Sequence, residues 1–580
     1  MGTNQKCWPW QDWIVASLLF LATAAVVAWQ NSRLTVLWDL SYILENSYRM
    51  ALGDVPYRDF PFPYAPLTFL IQAALIKLTG RAFWHHVVYC AVAGGLASVL
   101  TWRIVLHSLR DALRDVRHAR LLAFMLSVPV VPLGIYCVYP HPFYDPDCTL
   151  AILICVLLLQ RLRDTSSRSA FLTGLTIVIP LFVKQNTGLA FLVSAAAALI
   201  ILIVIDRRNR RPVRGYVFAI CGVLSGLACA LIAIHLTAGV QNYWQWTINF
   251  AASRRMPPLT EMLAAYRDKS VLWSTVAFGA GVFALWFNRT GSRALHLLSS
   301  LLMSAPFAWP AIYLLIEREP SERAERLLAL WPFVLIVSLV SAIVVVRRRS
   351  GTALVLPFVL IATAQGAFLS QQLWGSTYAI WPLWIILVAG VMVSINSLAK
   401  SKPAWAVIPL TGVIMLSALI AGASYVWSHE RLDYANLSDG ELAHSKLPEL
   451  RGVSMRGDWI SGFEELVDYA EREIPPDEGI LMLPGEDVFY YTTGRRPRFP
   501  VLMFDRTINP YTADEIRDLA RDRDIRWLIV KQELQLEDEQ VKQFTDELMG
   551  LLEQDFEPVE SLDNYEVYRR KSPDEEDGDR

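Results

Sequence analysis

The chain has 580 residues, of which 54% are hydrophobic and only 19% charged, and its formal net charge is −2. So apolar a composition at this length excludes an ordinary soluble globular protein and predicts a helical membrane protein. The basic residues sit in several short loops and make no single patch, which argues against a nucleic-acid partner.

A hydrocarbon core of roughly 30 Å takes about 20 apolar residues to cross as a helix. Such runs recur from residue 13 to residue 427 and then stop. The first, "WIVASLLFLATAAVVAW", has no small-residue cleavage site at its end and reads as a retained helix. All seven cysteines (Cys7, Cys90, Cys137, Cys148, Cys155, Cys221, Cys229) precede residue 230, without CxxC or Cys/His ligand spacing, and read as small core residues.

After that helix comes a polar stretch, "WDLSYILENSYRMALGDVPYRDFPFPYAP" (38–66), carrying Asp39, Glu45, Asp54 and Asp59. The following run, "APLTFLIQAALIKLTG", is short, begins after a Pro-rich segment and contains Gln72 and Lys77. Arg/Lys groups mark loops retained in the cytoplasm, and the densest are 103–120, 161–168, 207–214, 347–349 and 400–402. If residues 65–80 crossed, the group at 103–120 would face the opposite side from the other four. This run is therefore expected to lie along the outer surface as an interfacial helix.

The predicted spans are 13–30, 83–106, 120–138, 148–160, 169–183, 187–205, 215–237, 271–287, 294–315, 327–346, 353–372, 378–397 and 404–427. These thirteen put the N-terminus in the cytoplasm and everything after 427 outside. The expected organisation is a transmembrane domain over 1–427 with a first outer loop at 31–82, an α/β domain over 428–570, and an acidic tail, "KSPDEEDGDR", at 571–580. In the α/β domain, "WISGFEELVDYAEREI" and "ADEIRDLARDR" read as helices, and "GILMLP", "FPVLMF" and "IRWLIV" as strands.

Ionisable residues are scarce within the spans, unlike a transporter path, and polar chemistry gathers in the outer connections. A carboxylate there can take a proton from an attacking hydroxyl, and cations can hold a leaving phosphate. Asp39 leads, with Asp59 second and Glu45 and Asp54 expected to be solvated; the alternative for Asp39 is an N-cap of a helix beginning near Ser41. Asp145 and Asp147 in "YDPDC" read either as site acids or as an Asx-Pro turn, and their DxD spacing is weak grounds for a divalent cation. Lys184 in "VKQNTG", with Arg254 and Arg255, reads as phosphate-binding or as anchoring to headgroups. His85 and His86 read as interfacial. Tyr490, Arg495 and Arg496, in "DVFYYTTGRRPRF", read as a solvated turn or as a lid or acceptor-binding face.

On Asp39, on "ALGDVPYRDFPFPYAPLTFLIQAALIKLTG", on the acids of "YDPDC" and on "VKQNTG", the sequence resembles the GT-C superfamily of polytopic glycosyltransferases. The likeness is to the bacterial protein O-mannosyltransferase and aminoarabinose transferase types. The resemblance implies a GT-C fold in the plasma (inner) membrane and a polyprenyl-phosphate sugar donor. It also implies a glycan, lipid or protein acceptor and an inverting transfer without a covalent enzyme intermediate. Asp39 would be the base, and no resident cofactor or metal is implied. Leu40 stands where many relatives have a second acid, which weakens a metal role for the first loop. A polysaccharide polymerase or ligase, a flippase and a non-catalytic scaffold are the competing classes.

Overall fold

The computed structural model of the chain describes residues 9–112, 116–162, 165–254, 263–288, 291–369, 377–398, 404–429 and 435–571, with residues 258, 260 and 432. Arg255 and residues 572–580 of the expected tail lie outside these.

The helices run α1 Trp10–Asn31, α2 Leu37–Ala51, α3 Leu67–Thr79, α4 Phe83–Ala112, α5 Val116–Ser127, α6 Tyr144–Arg161, α7 Ser167–Val183, α8 Gln185–Arg208 and α9 Arg214–Thr237. A broken segment follows, α10 Val240–Trp244, a π-helical turn Gln245–Phe250 and α11 Ala251–Arg254. Then come α12 Lys269–Phe287, α13 Arg293–Ile316, α14 Pro320–Leu328, α15 Leu330–Val344, α16 Thr352–Phe368, α17 Trp381–Leu398 and α18 Ala404–Ser428.

Among the described residues, eight helices are long and apolar enough to cross a membrane, and four more apolar helices are shorter. Leu189, Val193, Leu224, Leu231, Leu236, Leu272 and Val276 stand exposed on α8, α9 and α12. A belt of exposed aliphatic side chains on helices whose backbones are internally hydrogen-bonded suits lipid, not water. The chain is a multi-pass membrane protein.

The expected span 120–138 is a different object. α5 ends at Ser127, a 3₁₀ turn Val128–Val130 follows, and the chain then winds through turns to Phe143. Pro129 and Pro132 lack the amide donors that would continue the helix.

The two ends of the bundle are marked by polar contacts. At one end Asp12, 2% exposed, meets Arg103, Arg110 and Arg120 at 3.3, 3.2 and 3.1 Å, tying the start of α1 to the end of α4 and to α5. At the other end Asn31 Nδ2 donates to the Gly452 carbonyl at 2.7 Å, and Arg81 Nη1 donates to the Tyr491 carbonyl at 2.8 Å. Residues 31 and 81 thus both touch the C-terminal domain, so the chain between them leaves and returns at one end. α3 has 13 residues, about 20 Å of helix.

The C-terminal domain has strands β1 Leu442–His444 and β2 Ser454–Arg456 as an antiparallel ribbon, and β3 Gly479–Leu483, β4 Ile525–Lys531, β5 Phe556–Ser561 and β6 Tyr565–Arg570 in a sheet of order β3-β4-β6-β5. β3 and β4 are parallel and the other pairs antiparallel. Helices α19 Trp459–Glu473, α20 Phe489–Thr493, α21 Ala513–Asp522 and α22 Glu539–Leu552 complete it. Thr512 and Glu515 form a capping box that starts α21. The expected strand "FPVLMF" is irregular chain: residues 499–504 are covered by the core yet pair with no strand.

α2 is the element that joins the two parts. Leu37, Leu40, Leu44 and Tyr48 pack with Ile460, Phe463, Leu466, Phe489 and Tyr491 of the C-terminal domain. Its other side, Trp38, Tyr42, Ile43 and Met50, packs with Tyr57, Phe60, Phe62, Tyr64 and Phe69, and with Met503 and Val541.

Candidate functional site

Sandwiched this way, α2 is nearly enclosed. Of residues 37–50 only Asp39 and Asn46 are not buried. A spacing of seven puts them on one stripe, two turns apart. The helix begins at Leu37, not near Ser41, so Asp39 lies inside its first turn and is not its N-cap. Ser41 Oγ bonds the carbonyls of Trp38 and Gly485, each at 3.1 Å.

Asp145 and Asp147 occupy the first turn of α6, with Pro146 between them where a helix tolerates proline, and not a free Asx-Pro turn. Asp145, 5% exposed, forms an ion pair with Lys184, 7% exposed. Lys184 lies at the joint between α7 and α8: its backbone is extended (φ −149°, ψ 122°), its N–H donates to Pro180 at 3.0 Å and its carbonyl accepts from Gly188 at 2.9 Å. Gly188 is required, because a Cβ there would stand 2.2 Å from the Pro180 carbonyl oxygen. The "VKQNTG" motif is therefore a tight helix break that turns one lysine inward. Burying two charges is costly unless they pair, and here each meets the other.

Asp147 is held differently. Its Oδ1 accepts from the Tyr89 and Tyr136 hydroxyls at 2.7 and 2.6 Å, and its Oδ2 from Thr68 Oγ1 at 2.8 Å. Tyr89 and Tyr136, tyrosines lodged in apolar runs, were the available sequence signal for this cradle. Of the two acids, Asp145 is the one set against a cation.

Aromatic rings connect α2 to that pair. Tyr42, one turn beyond Asp39, has its ring 4.6 Å from that of Tyr64, which stands 5.6 Å from Tyr144. The Lys184 ammonium is 5.6 Å from the Tyr144 ring centroid, and Gln185 Nε2 donates to the Pro63 carbonyl at 3.1 Å. The structure brings Asp39, Asp145 and Lys184 to one end of the bundle along a tyrosine-lined path.

Other expected residues lie elsewhere. Asp59 is held by its own turn, accepting from Val55 N–H at 2.7 Å and from Arg58 Nε at 2.8 Å, and the Arg58 hydrogen bond lowers its carboxyl below the usual range. Glu45 and Asp54 are not solvated. Glu45 is 3% exposed and accepts from Tyr491 N–H at 3.1 Å. Asp54 receives Arg49 at 2.8 Å and Arg496 at 2.6 Å.

Tyr490 is buried with its hydroxyl on the Ile480 carbonyl at 2.7 Å. Arg495, 9% exposed, donates to the carbonyls of Ala470, Ile474 and Pro475, closing the end of α19 where orphan carbonyls need donors. Tyr490 and Arg495 thus build the domain, while Arg496, whose side chain is 65% exposed, pairs with Asp54 at 2.6 Å. Arg254 is exposed and lines a cleft of about 560 Å³ with Arg506, Tyr511, Gln540, Gln543 and Phe544, apart from the Lys184 pair. His86 is buried, its Nδ1 2.7 Å from Gln72 Oε1 between α3 and α4. Among the described residues, no group of three or more His, Cys, Asp or Glu side chains converges as a metal site.

A polytopic bundle with a buried acid–lysine pair and a half-buried carboxylate beneath a docked α/β domain is the class of protein that this fold and site define. No family model matches the chain, and no curated protein sequence does. Among solved structures, ArnT from Cupriavidus metallidurans bound to undecaprenyl phosphate is similar at 10% identity and TM-score 0.40, over 96% of this chain and 98% of that one. The apo state of the same protein is similar at 13% and 0.41, over 95% and 97%. The Archaeoglobus fulgidus oligosaccharyltransferase in the apo form is similar at 12% and 0.45, over 92% and 70%. At these scores the likeness carries no residue correspondence.

Proposed function

We propose that this chain is a membrane glycosyltransferase of the GT-C kind. It moves a sugar from a polyprenyl-phosphate donor to an acceptor hydroxyl on the extracytoplasmic side of the plasma (inner) membrane, with its N-terminus cytoplasmic and its C-terminal domain outside. The observation that carries this reading is the placement of Asp39, a half-buried carboxylate on an otherwise enclosed helix, at the same end of the bundle as Lys184.

In the proposed reaction Asp39 takes the proton of the acceptor hydroxyl as its oxygen attacks the anomeric carbon. The bond from that carbon to the phosphate oxygen breaks, inverting the centre, and polyprenyl phosphate leaves with its negative charge. The Lys184 ammonium and the first amides of α8 receive that charge. Asp145 holds Lys184 in place by their ion pair while the site is empty. The cleft beside Arg254 is lined mostly by the C-terminal domain and lies apart from Lys184, so it suits the acceptor better than the donor phosphate.

Mass analysis of the lipid-linked sugars in cells lacking the protein tests the reading. A polyprenyl-phosphate sugar is expected to accumulate while one envelope glycan, glycolipid or glycoprotein loses that sugar. An unchanged lipid-linked pool and unchanged glycans would overturn it.

A further inference from the structure

We infer that Gln535 is a positioning residue through which the C-terminal domain sets the first turn of α2, and with it Asp39; the inference rests on the proposed role of Asp39. Gln535 is 2% exposed, and its carboxamide is matched atom for atom to the entrance of α2. Its Oε1 accepts from Leu37 N–H at 2.6 Å and its Nε2 donates to the Thr35 carbonyl at 3.0 Å.

The N-cap position of α2 is Val36, which provides no side-chain cap. Gln535, 498 residues away in sequence, therefore satisfies the first of the four orphan amides at the start of α2, on a helix with no local side-chain cap. Two further contacts hold the same entrance: Ser454 N–H donates to Thr35 Oγ1 at 3.3 Å, and Ser41 Oγ donates to the Gly485 carbonyl at 3.1 Å. Asp39 lies between these tethers.

Gln535 is itself held by a buried charged cluster. Its N–H donates to Glu486 Oε1 at 2.8 Å. Lys531 Nζ stands 3.2 Å from Glu486 and 2.9 Å from Asp487, whose other oxygen accepts from the Tyr565 hydroxyl at 2.9 Å. Gly485 has φ +91°, and a Cβ on it would lie 1.9 Å from the Leu502 carbonyl oxygen, so the chain into Glu486 admits only glycine. Such a cluster costs stability relative to apolar packing. What it supplies here is a rigid mount for Gln535 and Gly485, the two groups that grip α2.

The test uses the full chain in nanodiscs, as Gln535→Leu, which removes both bonds, and Gln535→Glu, which keeps the acceptor and the size should the leucine variant fail to fold. Undecaprenyl-phosphate sugars extracted from cells lacking the protein serve as donor, and release of undecaprenyl phosphate is measured beside backbone hydrogen exchange. In the folded variants, exchange over residues 35–41 is expected to quicken while β3 and β4 stay protected. Turnover should fall on the order of 10²-fold, as misplacement of a reacting group does, with the half-saturating donor concentration unchanged. Unchanged exchange and turnover in both variants would overturn the positioning role. Asp39→Asn run in parallel separates the two ideas: its loss of turnover keeps the base while Gln535 fails, and its full activity removes both.

Discussion

Glu45 and Tyr491 meet inside the junction between α2 and the C-terminal domain, the carboxyl Oε1 accepting the backbone N–H at 3.1 Å. Burial raises the Glu45 carboxyl well above its ordinary value, against the lowering effect of the Tyr491 and Tyr490 amides, and Asp487 adds to the rise. A group whose folded value is raised contributes stability that is complete below its unfolded value, near 4.3, and lost as pH rises through the folded one. Glu45→Gln keeps the acceptor and cannot ionise. Its thermal unfolding in detergent is expected to match wild type at low pH and to exceed it above neutrality; a uniform loss at every pH would contradict this.

Arg49 and Arg496 share Asp54 but differ in what they are worth. Arg49 is 4% exposed and also donates to the Phe499 and Pro500 carbonyls at 3.0 and 2.9 Å. Arg49→Ala leaves those acceptors and Asp54 short of a donor and should cost about 3 kcal/mol or more. The side chain of Arg496 is 65% exposed, so Arg496→Ala should cost less than about 1 kcal/mol. Chemical unfolding of the two variants, side by side, checks the ranking.

For the Asp145–Lys184 pair, structure and function can be separated. Lys184→Met strands a buried carboxylate and should cost about 3–5 kcal/mol. Adding Asp145→Leu removes the stranded charge and should restore most of the stability, yet transfer should remain lost because nothing receives the leaving phosphate. A double variant that recovers both would reduce the pair to packing.

Asp147 rests on three hydroxyl donors. Tyr136→Phe removes one hydrogen bond to a carboxylate and should lower stability by about 1.5–3 kcal/mol, leaving Tyr89 and Thr68 in place. Calorimetry of the purified variant reads this directly.

How much of this was legible in the sequence follows from the range of each interaction. Apolar length and the arginine pattern foretold most of the helices and the excursion of residues 31–82, because both are local signals. The end of α5 was legible too, in Pro129 and Pro132, but an apolar run was read through them. In the C-terminal domain, β3, β4, α19 and α21 followed their local patterns. "FPVLMF" failed because its apolar residues fill a core without a strand partner. Asp39, Asp145 and Lys184 are candidates on residue type and position in the chain, and of these the structure pairs Asp145 with Lys184. The roles of Gln535, Glu45 and Arg49 were not legible, since their meaning lies in partners more than 440 residues away, and one sequence carries no trace of such pairings.

The most direct test of the central claim is transfer by purified Asp39→Asn, with undecaprenyl-phosphate sugars from cells lacking the protein as donor. A fall on the order of 10²–10⁴-fold is expected, with the unfolding temperature unchanged. Transfer at the wild-type rate would contradict it.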